Sequence, residues 1–252
     1  MAVSLPLFEE YEKKEKCGVF GIWGPKEAAQ IAYHGIFAQQ HRGQESAGIA
    51  VSDGTNLNGH AGMGLVSQVF NPRMLREELA GHAAIGHVRY ATTGETAIRN
   101  VQPLFADFEF GGFALCHNGN LTNATQLAKE IKEQDYRHLN TSSDSEVLLN
   151  IFAHELQVLG KLVPTEEDIF TAVSAVHRRC KGAYAVVSMI TGVRATCSHS
   201  AIRRDPRQPG DHPGRAGSRR GDGPVDRGKI RQSPFAFALG PRGRCRDRRR
   251  RR

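Results

Sequence analysis

The chain has 252 residues, and 39% of them are apolar, which is enough to bury a core and excludes complete disorder. No window of 18 consecutive apolar residues occurs, so a membrane span is not expected. Residues 1–16 lack the basic start and apolar stretch of a secretory signal. Five widely spaced cysteines without a C-x-x-C pair argue against a disulfide framework or a zinc ribbon, and they favour a cytoplasmic location.

The net charge of +8 is unevenly distributed. Residues 194–252 contain 17 Arg, 1 Lys and 5 Asp and carry +13, whereas residues 1–193 carry −5. The body of the protein is therefore mildly acidic, and its charge gives no reason to expect a nucleic-acid partner.

Apolar periodicity and turn residues predict the elements in chain order. The predicted strands cover 17–23, 48–51, 83–92, 111–119 and 182–190, and the predicted helices cover 26–40, 71–80, 121–134, 143–160 and 165–180. Strands come in groups between groups of helices, without strict alternation. This order favours an α+β fold with antiparallel sheets and helices packed outside them.

Two motifs could supply a nucleophile and an oxyanion site. Cys17 opens the first strand: it is either a buried structural cysteine or a nucleophile freed by removal of residues 1–16. In the second case its own α-amino group, with a pKa near 8, can act as the base. His117-Asn118-Gly119-Asn120 follows a buried strand and is either a hairpin turn or an oxyanion site built from the Asn118 amide and the Gly119 N–H.

Two charged residues could bind the ends of an amino acid. Arg89 lies among apolar strand residues and needs a partner, either an acidic side chain or a substrate carboxylate. Asp144 starts a predicted helix and is either a cap or the acceptor of a substrate ammonium group. No metal-ligand pattern, dinucleotide fingerprint or phosphate loop is found in the sequence.

Six blocks of sequence carry a family resemblance. They are CGVFGIWG, HRGQESAGIA, GMGLVSQVF, IGHVRYATTG, CHNGNLTNA and TSSDSEVLLNIF, all between about Cys17 and Gly192. In this order they resemble the glutaminase half of the amidophosphoribosyltransferases, the family that performs the first committed step of purine synthesis. The resemblance implies the four-layer α/β/β/α sandwich of N-terminal nucleophile hydrolases, with residues 1–16 as a leader and 17–193 as the class II glutamine amidotransferase domain.

The resemblance also implies a role for each matching residue. Cys17 would be the N-terminal nucleophile that forms a thioester with glutamine and releases ammonia. Asn118 and Gly119 would stabilise the oxyanion, and Arg89 and Asp144 would bind the carboxylate and the α-amino group of glutamine.

Further implications concern Arg42, cofactors and assembly. Arg42 would have a supporting role beside the nucleophile. No cofactor is expected for the glutaminase domain, and family members are homo-oligomers. Mg²⁺ would belong to a phosphoribosyltransferase domain, and some relatives carry an iron–sulphur cluster outside the matching region. We find no counterpart of the transferase domain after Gly192, so the full reaction is not expected from this chain.

Residues 194–252 match nothing in the family pattern and are predicted to be disordered. They are a functional basic tail that binds nucleic acid, a disordered linker, or an out-of-frame translation of GC-rich DNA. The third reading is favoured, because Thr196–Arg203 back-translates to codons that permit Leu-Leu-Ala-Phe-Arg-Asp-Pro in another frame, a run typical of the family. If the tail is instead genuine, the alternative function is a non-catalytic basic interaction protein.

Overall fold

A computed structural model of the chain describes residues 17–90, 98–192, 197–203 and 235–238. The predicted leader, residues 1–16, lies outside the described residues. The strands are β1 Gly18–Trp23, β2 Ser46–Ser52, β3 Leu57–Met63, β4 Ala83–Arg89, β5 Leu104–Phe108, β6 Gly111–Leu121, β7 Gly182–Ile190, β8 Cys197–Arg203 and β9 Phe235–Ala238. The α-helices are α1 Ala28–Ala38, α2 Val66–Val69, α3 Ala124–Gln134, α4 Asp144–Val158 and α5 Glu166–Arg179, with a π-helical turn at Met74–Glu78.

The described strands form two antiparallel sheets, ordered β1-β4-β2-β3 and β5-β6-β7-β8-β9. The two sheets face each other across a layer of small and medium side chains that includes Ile85, Cys116 and Met189. Helix α1 covers the outer face of the first sheet, and α3, α4 and α5 cover that of the second. The predicted four-layer α/β/β/α sandwich is confirmed.

Helices α4 and α5 begin where their sequences place capping residues. The Ser143 hydroxyl accepts a hydrogen bond from the Ser145 N–H, and Thr165 forms a reciprocal capping box with Asp168. The Ser143 cap also fixes the start of α4, where Asp144 is the first helical residue. The prediction that Asp144 could be the cap is therefore wrong by one position.

The Asn118-Gly119 pair does not form a turn. Strand β6 runs through both residues to Leu121, and β7 pairs with it from Phe113 to Leu121. Gly119 has φ +135°, and a Cβ there would lie 2.3 Å from the Ala183 carbonyl oxygen of β7. Pairing with β7 thus overrides the local turn preference and explains why a glycine is required at this position.

Part of the predicted unstructured tail is paired. We predicted that every strand lies before Gly192, yet β8 pairs with β7 and β9 pairs with β8. Without β8, the outer edge of β7 would expose unpaired N–H and C=O groups, and an extended segment satisfies them through its backbone whatever its side chains are. The other positions of 194–252 lie outside the described residues, and their origin in another reading frame stays a prediction.

Candidate active site

Pairing of β1 with β4 brings Cys17, the predicted nucleophile, next to Arg89, the residue predicted to bind a substrate carboxylate. Gly18 is opposite Val88, so Cys17 lies beside the end of β4, which is Arg89, and beside the next residue, Tyr90. The Tyr90 N–H points to the Cys17 sulfur at 3.4 Å, and the thiol is 3.5 Å from the Tyr90 carbonyl oxygen.

Two further residues hold the backbone of Cys17. The Cys17 N–H donates to the Arg42 carbonyl oxygen at 2.9 Å, and the Arg42 Nε donates to the Cys17 carbonyl oxygen at 2.8 Å. The Asn118 amide donates to the same carbonyl oxygen at 3.4 Å. Arg42 therefore holds Cys17 at both of its backbone polar groups, and the supporting role predicted for Arg42 stays a prediction.

The Cys17 thiol is held in its neutral form. Burial raises its pKa, and the Tyr90 N–H and the positive charges of Arg89 and Arg42 offset only part of this effect. A neutral thiol is a weak nucleophile, so reaction near pH 7 requires a neighbouring base.

Arg89 is buried without a full complement of partners. It is 7% exposed, and its Nη1 has no hydrogen-bond partner in the described structure. The Glu45 Oε1 lies 3.9 Å from that nitrogen and is itself without a hydrogen bond. Glu45 is therefore the expected acidic neighbour, but it makes no hydrogen bond to the Arg89 Nη1. That nitrogen can still donate to a carboxylate.

Asp144 joins the site through β6. Its Oδ2 accepts a hydrogen bond from the Leu121 N–H at 2.9 Å, and its Oδ1 lies 3.7 Å from the His117 Nδ1. The side chain remains 20% exposed, so one face of the carboxylate is open to a ligand. Asp144 thus lies at the far end of the β6 segment that carries Asn118 and Gly119.

Two buried histidines lie beneath these residues, and sequence reasoning gave them no role. The His87 Nε2 is 3.2 Å from the His117 carbonyl oxygen, and the His117 Nδ1 is 2.9 Å from the Ser145 hydroxyl. Burial lowers the pKa of both, to about 3 for His87. Both rings are therefore neutral at pH 7, and His87 is able to donate a hydrogen bond to the β6 backbone.

The sequence of the chain is similar to those of known proteins. Residues 87–195 match the model of a glutamine amidotransferase domain. The amidophosphoribosyltransferase of Pseudomonas aeruginosa is 53% identical over 176 residues, which is 70% of this chain and 35% of that protein. The Escherichia coli enzyme of the same name is 44% identical over 177 residues, again 70% of this chain and 35% of that protein.

Solved structures agree with these relatives. The Bacillus subtilis glutamine phosphoribosylpyrophosphate amidotransferase complexed with ADP and GMP superposes with a TM-score of 0.62 at 42% identity, covering 73% of this chain and 36% of that one. A second structure, of the allosteric regulatory enzyme of purine biosynthesis, has the same TM-score of 0.62 at 43% identity.

This chain spans about a third of the length of these relatives. Within the part that matches, none of the comparisons supports the alternative of a basic interaction protein. Among the described residues, no helix is both long and apolar enough to cross a membrane. The chain carries a glutamine amidotransferase domain homologous to the N-terminal part of the amidophosphoribosyltransferases.

Proposed function

We propose that this domain hydrolyses glutamine to glutamate and ammonia with Cys17 as an N-terminal nucleophile. The observation that carries the proposal is the position of the Cys17 carbonyl oxygen, which lies between the Arg42 Nε and the Asn118 amide, beside a guanidinium with an unused donor. The homology to glutamine amidotransferases supports glutamine as the substrate.

The first step is attack on the side-chain amide of glutamine. Once residues 1–16 are removed, the α-amine of Cys17 takes the thiol proton, and the sulfur bonds to the amide carbon. The Asn118 amide and the Gly119 N–H stabilise the oxyanion. The protonated α-amine then passes the proton to the amide nitrogen, and breakage of the C–N bond releases ammonia and leaves a thioester. Water then hydrolyses the thioester to glutamate and restores the thiol.

The substrate is oriented by its two charged groups. Arg89 binds the carboxylate with its free donor, and Asp144 binds the ammonium with the face that Leu121 does not occupy. In the complete proteins of this family we propose that the ammonia serves 5-phosphoribosylamine formation in purine synthesis. The described residues would supply the glutaminase part of that reaction.

The test is formation of glutamate and ammonia by purified protein that begins at Cys17. We expect hydrolysis by this form and none by Cys17→Ala at the same protein concentration. Hydrolysis by Cys17→Ala at the wild-type rate would contradict the assignment of the nucleophile. Absence of hydrolysis by the processed wild-type protein would contradict the proposed function.

A further inference from the structure

Strand β6 loses one of its two neighbours where the candidate site begins. Strand β5 pairs with β6 only from Gly111 to Leu115, whereas β7 pairs with it as far as Leu121. The segment 117–121 therefore has an edge on which β5 provides no partners. Backbone groups at such an edge must be satisfied by other means, because unpaired buried N–H and C=O groups are costly.

Gln102 replaces the missing strand at this edge. Its Oε1 accepts a hydrogen bond from the His117 N–H at 2.6 Å, and its Nε2 is 3.2 Å from the His117 carbonyl oxygen. The same Nε2 donates to the Ser145 hydroxyl at 3.0 Å. A side-chain carboxamide has the same donor and acceptor as a peptide group, so Gln102 offers β6 what one peptide of a neighbouring strand would offer.

Ser145 and His87 complete the arrangement around the same residue. Ser145 contacts the His117 ring, and His87 contacts the His117 carbonyl oxygen. Gln102, His117, His87 and Ser145 are all at most 5% exposed, so water does not compete for these hydrogen bonds. The backbone and the ring of His117 are thereby held in one position.

The next residues of β6 are the proposed oxyanion donors. Alternation along an extended strand directs the N–H groups of residues 117, 119 and 121 to the same edge. Gln102 accepts from the first and Asp144 from the third, which leaves the Gly119 N–H between two fixed points. We infer that Gln102 is a positioning residue that aligns the oxyanion donors Asn118 and Gly119 by replacing a strand at the open edge of β6. This inference rests on the proposed function.

Kinetics of Gln102→Leu test the inference. The change keeps the size of the side chain and removes all three hydrogen bonds. Oxyanion contacts act mainly in the transition state, and small misplacements there are costly. We therefore expect kcat for glutamine to fall about 10- to 100-fold, with KM within about threefold.

A matched control is Asn123→Leu. The Asn123 carboxamide makes the same pair of backbone bonds, from the Lys181 N–H and to the Arg179 carbonyl oxygen, both at 2.9 Å, beyond the end of β6. We expect it to lose stability like Gln102→Leu but to keep the wild-type kcat. An equal fall of kcat in both variants would overturn the inference.

Alkylation by iodoacetamide separates positioning from collapse of the site. Its displacement reaction at the Cys17 sulfur forms no oxyanion, so the rate measured on the Cys17 peptide should be the same in Gln102→Leu and wild type. An alkylation rate that falls by the same factor as kcat would show that the nucleophile itself has moved, against the inference.

Gln102→Glu provides a conservative rescue. An ionised carboxylate repels the His117 carbonyl oxygen, whereas a protonated carboxyl group can donate to it and still accept from the His117 N–H. The ratio of the variant's kcat to the wild-type kcat should therefore rise as pH falls. A ratio that does not change with pH would contradict the donor role of Gln102.

Amide hydrogen exchange tests the positioning without any need for activity. In Gln102→Leu, the amides of residues 117–121 should exchange about tenfold faster or more, while those of residues 113–115 keep their protection. Unchanged exchange at His117 would overturn the inference. If the wild-type protein did not hydrolyse glutamine, the proposed function would fail, and this measurement would still decide whether Gln102 holds β6.

Discussion

Replacement of Arg89 by alanine should reduce glutamine turnover at low substrate concentration. The guanidinium is 7% exposed and keeps one nitrogen without a hydrogen bond, so a substrate carboxylate would meet a preformed, poorly solvated donor. Such a charge-assisted contact contributes about 2–3 kcal/mol, and each 1.4 kcal/mol is about tenfold in rate. We expect kcat/KM for glutamine to fall about 30- to 150-fold.

The assay compares two substrates. Glutamine carries the carboxylate that Arg89 is proposed to bind, and 4-aminobutanamide is the same molecule without it. Arg89→Ala should lower kcat/KM for glutamine and leave the much slower hydrolysis of 4-aminobutanamide within about threefold of wild type. The control is Arg73→Ala, since Arg73 is an exposed arginine that pairs with the exposed Glu77 four residues on.

Glu45, the acidic neighbour of Arg89, allows a second test of the proposed role of Arg89. Its carboxylate is 3.9 Å from Arg89 and partly buried, so Arg89→Ala leaves a negative charge that would repel the substrate carboxylate. The double variant Arg89→Ala with Glu45→Gln removes that repulsion and should recover part of the lost kcat/KM. Equal losses for glutamine and 4-aminobutanamide in Arg89→Ala would refute the clamp and show that Arg89 is needed only for the fold.

Four other outcomes are expected. Mass spectrometry of active protein should show that it begins at Cys17, and full activity with residues 1–16 attached would exclude the α-amine as the base. Asn118→Ala should lower kcat by about a hundredfold or more, whereas a change confined to KM would contradict its oxyanion role. His87 has a pKa of about 3 in the folded chain. As pH falls below about 6.5, its imidazole therefore becomes protonated in the unfolded chain but not in the folded one. The unfolding free energy should therefore drop by about 2 kcal/mol from pH 7 to pH 5 on account of His87, and His87→Gln should abolish that share in urea titrations. In the chain that retains its leader, Cys17→Gly should be about 1 kcal/mol more stable than Cys17→Ala, because Cys17 has φ +66°; equal stabilities would show no strain there.

Sequence patterns identified the elements that have a strong period or a distinct cap. Strand β7 is a mostly apolar run, and α5 begins directly after its N-cap Thr165, as the capping residues predict. Two of the missed strands have weak patterns: β3 contains two glycines and a histidine among seven residues, and β5 has only five residues. Both are edge strands that pair with the strand next to them in sequence, so they were missed because their own apolar pattern is weak and not because their partners are distant.

The sequence predicted those site residues whose chemical type alone indicates a role. A cysteine before the first strand and an arginine among apolar residues stand out in the sequence. Gln102 does not, because its role depends on where β5 begins and on His117 and Ser145, which are 15 and 43 positions away. The partners in this network lie 15, 28, 30 and 43 positions apart, with no common spacing, so no spacing rule could have identified it.

Two features that cost stability and one that limits reactivity lie at Cys17 and at the neighbouring end of β4. The left-handed conformation of Cys17 costs about 1–2 kcal/mol, the Arg89 Nη1 is buried without a hydrogen bond, and burial raises the pKa of the Cys17 thiol and keeps it neutral. The torsion φ of Cys17 is defined by the carbonyl carbon of residue 16, so removal of residues 1–16 would end the constraint and release that strain. The same cleavage would convert the Cys17 N–H, now bonded to the Arg42 carbonyl oxygen, into the amine that the neutral thiol needs as its base. A single cut before Cys17 would thus release the backbone strain and supply the base that the neutral thiol needs.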